Sequence, residues 1–395
     1  MKIISLRSAI IFILMVTLLS GCSGKTASNY HKNGLKYFNS GNYKEAATNF
    51  EKALEINTER AEYYIDYAMT LIMLGQNKEA ILNFNQAILD KDNIIVNKNN
   101  KMAFRGKGIA YYKSNLYTKA IEQFNKALAI DESSDLNMDI LYYMGTSQEK
   151  AGLYKKAAQT YTAILAENPS DAATYNSRAL VYRKLGNYDK SLVDYEKAIS
   201  LDKVKYDYYF GEYFLMLESG DEKGASKVLD EATQIKILTQ EDKYNLAKIH
   251  YYMEDYKSAI IELSEAFKNG FTAAYFYLGD IYENENDYEA AVYNYQMFID
   301  DENNQKSATV YNQIGVCFIK LDQYEEALSY IQIGLEFNDV FLEQSLKRNE
   351  IVAYEKLGKF EEAYDHMTDY LTLYPKDKEA TREYEFLKTR LPEAK

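Results

Sequence analysis

A small side chain returns about every 34 residues along this 395-residue chain. Ala46, Ala80, Ala120, Ala157, Ala225, Ala259, Ala291, Ala327 and Ala363 hold that position, and Ser191 replaces alanine once. A methyl-sized group at a fixed interval marks a place where two helices cross closely. A chain that repeats such a crossing stacks one helical hairpin many times, each packing on its neighbours alone. The length therefore need not close around a single core, which a compact domain this large seldom does.

The residues around the alanine recur too. We count units from Ala27, Ala61, Lys101, Met138, Ala172, Tyr206, Gln240, Thr272, Ala308 and Gln344. The fourth residue is large in most units, as in Tyr30, Tyr64, Phe104, Leu141 and Tyr175. The eighth is small, as in Gly34, Ala68, Gly108, Gly145, Ala179, Ala247, Gly279 and Gly315. Spacing of three to four puts these on one face of a first helix. The fifteenth is Gly41, Gly75, Asn115, Gly152, Gly186, Gly220, Asn286, Asp322 or Gly358, with Glu254 the exception. Gly, Asn and Asp accept the left-handed conformation that follows a helix C-terminus. A second helix then opens on an aromatic such as Tyr43, Tyr117, Tyr154 or Tyr288, three residues before the alanine. A large residue such as Phe50, Phe84, Phe124, Tyr161 or Tyr295 follows four after it. Pro169 and Pro375 fall where this second helix must stop.

This order of features resembles the tetratricopeptide repeat, over about residues 27–377. The resemblance implies an all-α fold, a right-handed superhelical solenoid of about ten helix-turn-helix units over residues 29–375. Residues 376–395 are expected to form a capping helix, with Ala380, Tyr384, Leu387 and Leu391 as its stripe. The sixth unit departs from the pattern at Tyr213 and Glu222, the seventh at Lys243 and Glu254, the last at Ile351. Extra sequence at Ile95–Asn100 and Asp135–Asn137, and the longer connection 301–307, are expected to be loops at one edge. Thirty-nine Tyr and no Trp fit tyrosine as the large residue between helices.

The N-terminus reads as an address. Lys2 and Arg7 precede an apolar run from Ala9 to Leu19, the layout of a secretory signal and short for a membrane span. Leu19-Ser20-Gly21-Cys22 is similar to the lipobox of bacterial lipoproteins. That resemblance implies a signal peptide over 1–21, lipid on Cys22, and a short lipidated tether over 22–28. Two or three acyl chains hold a protein stably, whereas one does so marginally. The expected location is the cell membrane, lipid-anchored on the extracytoplasmic face, the outer membrane included in a two-membrane bacterium.

In this family the inner faces of the first helices line a concave groove. By position the resemblance places Arg105, Tyr112, Tyr142, Asn176, Arg183, Phe210, Phe214, Tyr244, Tyr251 and Phe276 there. Phe210, Phe214, Leu217, Tyr244 and Tyr251 form one exposed apolar patch if the array leaves them open, or pack on the next unit if it winds tightly. A carboxylate clamp of the kind some members carry is not supported, because Ile109 stands where it needs Asn. The net charge of −13 argues against nucleic acid as partner. His31, His250 and His366 lie in distant units, and no nucleophile has a base beside it in sequence. No metal, no cofactor and no catalysis are expected; Cys317 reads as a buried thiol. The expected function is a scaffold for an envelope or surface complex. The alternative is a receptor or chaperone that captures an extended peptide in the groove.

Overall fold

The structure, a computed structural model, describes residues 26–391. Lys2, Arg7, the apolar leader and Cys22 lie outside the described residues. Among the described residues every regular element is helical. The chain divides into two compact units, up to Asp221 and from Glu222 onward.

In the first unit, α1 (26–39) pairs with α2 (Tyr43–Ile56), and α3 (Ala61–Met73) with α4 (Asn77–Ala87). The pattern continues through α5 (Ile94–Lys113) and α6 (Tyr117–Leu128), α7 (Asn137–Lys150) and α8 (Tyr154–Glu167), and α9 (Ala172–Lys184) and α10 (Tyr188–Leu201). α11 (Tyr206–Ser219) closes the unit. The second unit opens with α12 (Glu222–Ala232). It runs on through α13 (Gln240–Tyr252), α14 (Tyr256–Lys268), α15 (Ala274–Asn284), α16 (Tyr288–Asp300), α17 (Ala308–Lys320), α18 (Tyr324–Glu336), α19 (Glu343–Lys356) and α20 (Phe360–Leu373). α21 (Lys378–Lys388) ends it. The division falls inside the sixth repeat, whose second helix starts at Glu222 where most others start at an aromatic.

Each recurrent alanine is buried, and so is Ser191. The Ser191 hydroxyl donates to the Ala179 carbonyl at 2.7 Å, so the one polar substitute leaves no stranded group. The small eighth position faces the large residue of its own second helix. A Cβ on Gly34 would stand 2.6 Å from the Phe50 ring, on Gly145 2.6 Å from Tyr161, and on Gly279 2.6 Å from Tyr295. The alanine and glycine together form a notch, and the ring fills it. Tyr195 is pressed from another direction as well, since a Cβ on Gly211 of α11 would lie 2.4 Å from it. Rings that fit two helices at once bind one hairpin to the next.

The turns inside the hairpins share one backbone solution. The first helix ends, one residue goes left-handed, and the next N–H reaches back five residues. Examples are Asn42 N to Tyr37 O at 2.9 Å and Gln76 N to Leu71 O at 2.8 Å. This is the Schellman arrangement, which satisfies the last carbonyls of the helix. Glu254 adopts it too, at φ +59°, with Asp255 N on His250 O at 2.9 Å. The turn geometry overrides the residue.

Three expectations need correction. Ile95–Asn100 is helix, the opening of α5, because the Asn93 side chain accepts from Ile95 N and Val96 N and starts the helix early. Of Asp135–Asn137, Asp135 and Leu136 belong to a short 3₁₀ turn, Ser134–Leu136, and Asn137 begins α7. Residues 26–28, expected outside the repeats, already belong to α1, and Ala27 is buried. Residues 301–307 form a connection without regular helix. α21 packs Ala380 and Leu387 against Met367 and Tyr370; Leu391 lies beyond its end.

Two substitutions test this account. Glu254→Gly removes the cost of holding a side chain in the left-handed region and is expected to stabilise the second unit by about 0.5–1 kcal/mol. Gly279→Val drives two methyls into the fixed Tyr295 ring and is expected to cost about 2 kcal/mol or more. Urea unfolding followed by far-UV circular dichroism reads both.

Candidate functional site

The inner faces of the first helices carry a ladder of polar links. In the first unit His31 bonds Asp66 at 2.7 Å, and Arg105 of α5 bonds Asp139 of α7. The Tyr142 hydroxyl of α7 donates to Asp171, the N-cap of α9. Arg183 of α9 pairs with Glu218 of α11 at 3.4 Å. In the second unit Tyr251 of α13 donates to Asp280 of α15 at 2.7 Å, and Gln313 of α17 donates to the same carboxylate at 3.1 Å. The Asn349 amide of α19 donates to Asn312 of α17 at 2.9 Å. Arg348 of α19 reaches Glu383 of α21 at 2.6 Å. Each rung ties one first helix to the next, or to the terminal helix.

The residues assigned to the groove therefore divide by environment. Arg105, Tyr142, Arg183 and Tyr251 are rungs of the ladder. Tyr112 is half-buried against Tyr143, ring centres 5.7 Å apart, and burial raises its hydroxyl pKa. Asn176 is half-buried on α9. Phe276 of α15 packs on Phe298 and Tyr295. The five-residue patch is divided between the two units. In the first, Phe210 is buried, Phe214 half-buried and Leu217 exposed. In the second, Tyr244 stacks on Phe271 at 5.1 Å and Tyr251 meets Tyr277 edge-on at 5.0 Å. Burial pushes the hydroxyl pKa of both tyrosines up.

One part of the ladder is dense. Asp280 accepts from Tyr251, Asn284 and Gln313. Tyr295 donates to Glu283 at 2.8 Å and accepts from Gln313 at 2.9 Å. Burial raises the Glu283 carboxyl. Burial, with Glu283 and Asp280 adding to it, pushes the Cys317 thiol up to about 12, so it stays protonated at neutral pH and is a poor nucleophile. Among the described residues no group of three or more His, Cys, Asp or Glu is placed to hold a metal ion. Nor is any helix there long and apolar enough to cross a membrane. One cleft of about 540 Å³ lies at the loop after α20, lined by Leu373, Tyr374, Pro375 and the start of α19; no ladder residue lines it.

Sequence position marked the inner face, Asp280 included, but missed the partners Asp66, Asp139, Asp171, Glu218 and Glu383. The signal was present as a donor and a carboxylate 29–35 residues apart.

The last rung is pH-sensitive. Glu355 follows Arg348 by two turns of α19. One of its oxygens is buried without a hydrogen-bond partner. Burial first, and then the neighbouring Glu383, push its carboxyl from 4.5 up to about 7, against the opposing pull of Arg348 and Lys356. A raised folded-state pKa means that the docked state gains from the proton. That contribution is complete below pH 4.5 and is lost as pH rises through about 7. Asp377, the N-cap of α21, shifts the other way, and its contribution is lost only as pH falls through a value below 3.8. Hydrogen exchange should show α21 amides losing protection between pH 4.5 and 7, and Glu355→Gln should flatten that dependence.

Tetratricopeptide repeat models match residues 37–94, 106–134, 139–171, 172–203, 244–305 and 308–338, together more than half of the chain. A TPR repeat-containing protein of Methanocaldococcus jannaschii is 26% identical over 199 residues, 40% of this chain and 34% of that one. The Hsp70-Hsp90 organizing protein of Triticum aestivum is 30% identical over 192 residues, 40% of this chain and 32% of that one. The matches thus span about a third of these relatives' length. A tetratricopeptide repeat protein from Parabacteroides merdae superposes with a TM-score of 0.50 at 15% identity, covering 64% of this chain and 98% of that one. The APC/C hetero-tetramer Cut9-Hcn1 gives 0.50 at 16% identity, covering 93% and 76%. At such identities the likeness concerns the fold. The chain belongs to the tetratricopeptide repeat family, whose stacked hairpins serve as scaffolds for protein–protein interaction.

Proposed function

We propose that this protein is a non-catalytic scaffold, anchored to the extracytoplasmic face of a bacterial membrane through lipid on Cys22, where it holds an envelope or surface complex together. The carrying observation is one of sequence joined to fold. A leader ending in Leu-Ser-Gly-Cys stands directly before α1, with only residues 23–25 between Cys22 and the described helix. Such a link reaches about 10–14 Å when extended, so the first hairpin sits at the lipid surface.

The ladder supports a structural role for the inner face. Its charged groups are spent on neighbouring helices, so a partner meets chiefly half-buried aromatic and apolar surface. The relative from wheat is named for organising two other proteins, a bridging role of the same general kind. The second reading, capture of an extended peptide, is favoured by the tyrosine-rich inner face of α13 and α15, where Tyr244, Tyr251, Tyr252 and Tyr277 lie together. Tyrosine gives contact area at small entropic cost.

Mass spectrometry of the chain recovered from the membrane fraction tests the anchor. The expected N-terminal peptide begins at Cys22 and carries diacylglycerol on sulfur, and Cys22→Ala abolishes that added mass. A bare Cys22 thiol would refute the anchor. Crosslinking on intact cells then separates the two functional readings, by returning folded neighbours or an extended peptide.

A further inference from the structure

We infer that the N-terminal overhang of α5, tipped by Ile94 and Ile95, rests in the headgroup–acyl boundary of the membrane that holds the anchor. This rests on the lipid-anchor reading and adds to it which edge of the first unit faces the lipid.

In the first unit, short connections join consecutive helices, so neighbours run antiparallel and the first helices of successive hairpins run parallel. α1, α3 and α5 therefore begin at the same edge. The apolar leader and Cys22 precede α1 and enter at that edge. Four residues, 22–25, reach at most about 14 Å, which fixes this edge as the one near the lipid.

α5 differs from its fellows there. In repeat register it would begin near Lys101, yet it begins at Ile94, and residues 94–100 add about 10 Å of helix. Ile94 and Ile95 are 64% and 67% exposed. A β-branched pair at a solvent-facing helix tip gains nothing from water. The overhang is firmly held. Asn93 caps it, Asn97 bonds Asp92 and Glu132, and Asn100 exchanges two hydrogen bonds with the Leu89 backbone. Below them the buried Lys101 ammonium donates to Ile130 O at 2.8 Å. The cap and these bonds answer much of the tip's backbone polarity internally, so the two isoleucine side chains can enter the boundary while the carboxylates beside them stay at headgroup level. Asp90, Asp92, Asp131 and Glu132 near the tip outnumber Lys91 and Lys98. The surface it suits is therefore zwitterionic rather than anionic.

The absence of tryptophan from the chain makes the test direct. Ile95→Trp places a single reporter on the tip. Leu116→Trp, just past the far end of the same helix and also exposed, places one about 30 Å away. The full chain, extracted from membranes, is reconstituted into phosphatidylcholine vesicles brominated on their acyl chains, and flotation scores attachment separately. The expected result is a blue-shifted emission quenched by bromine at position 95, and a red emission quenched by aqueous acrylamide at position 116. Flotation with both reporters in water overturns this inference and leaves the anchor standing; equal bromine quenching at both positions overturns it as well. Failure to float removes the anchor reading and this inference together. Ile94→Trp serves as the tip reporter if thermal melting shows Ile95→Trp to be unfolded.

Discussion

Everything in this fold hangs on a close approach between helices that only methyl-sized or absent side chains allow. The recurrent alanine brings the second helix in, the small eighth residue of the first helix opens a notch, and a ring fills it. The distances leave no slack. A single added carbon at Gly34, Gly145 or Gly279 would sit well inside van der Waals contact of an aromatic ring. Close packing of this kind makes the core intolerant of volume in both directions. It also explains the tyrosine content. Tyr161, Tyr195 and Tyr295 fill their notches as phenylalanine would, and their hydroxyls extend past the notch to the inner face. There Tyr161 meets Glu149 and Tyr295 meets Glu283, so one side chain serves both the core and the ladder.

The ladder is a second, separate device. Notches set how each hairpin closes, and rungs such as Arg105–Asp139 or Arg348–Glu383 set how one first helix lies against the next. These rungs are partly exposed, so each contributes modestly to stability. Their effect is on register. A donor on one repeat and a carboxylate on the next meet in one stagger only, which discriminates against a slipped stack more than it strengthens the right one.

The hairpins were legible in sequence because the notch demands particular residues at particular positions, and demand of that kind leaves a trace in composition. The left-handed turn was legible for the same reason wherever it holds Gly, Asn or Asp. Glu254 shows the limit, since the surrounding helices impose the turn on a residue that does not favour it. The α5 overhang was misread as loop because Ile94-Ile95-Val96 is a β-branched run of modest helix propensity. Asn93 directly before it was the cap that decides the matter. The inner face was legible as a face and not as a set of contacts. Whether Tyr142 points to solvent or to Asp171 depends on the stagger between hairpins, and no single repeat encodes that.

A chain that commits its small residues to notches and its inner-face charges to rungs keeps both out of recognition. Specificity must then come from positions that neither device needs. Leu217, exposed at the end of α11, is one, and the Ile94–Ile95 tip of α5 is another. Both are apolar, and neither fills a notch or forms a rung. In a repeat protein such residues are cheap to change, because the stability of each hairpin is set elsewhere. The constraint that fixes the fold so tightly is thus what leaves its recognition surface free to vary, and a family built on one hairpin can serve many partners without altering the hairpin.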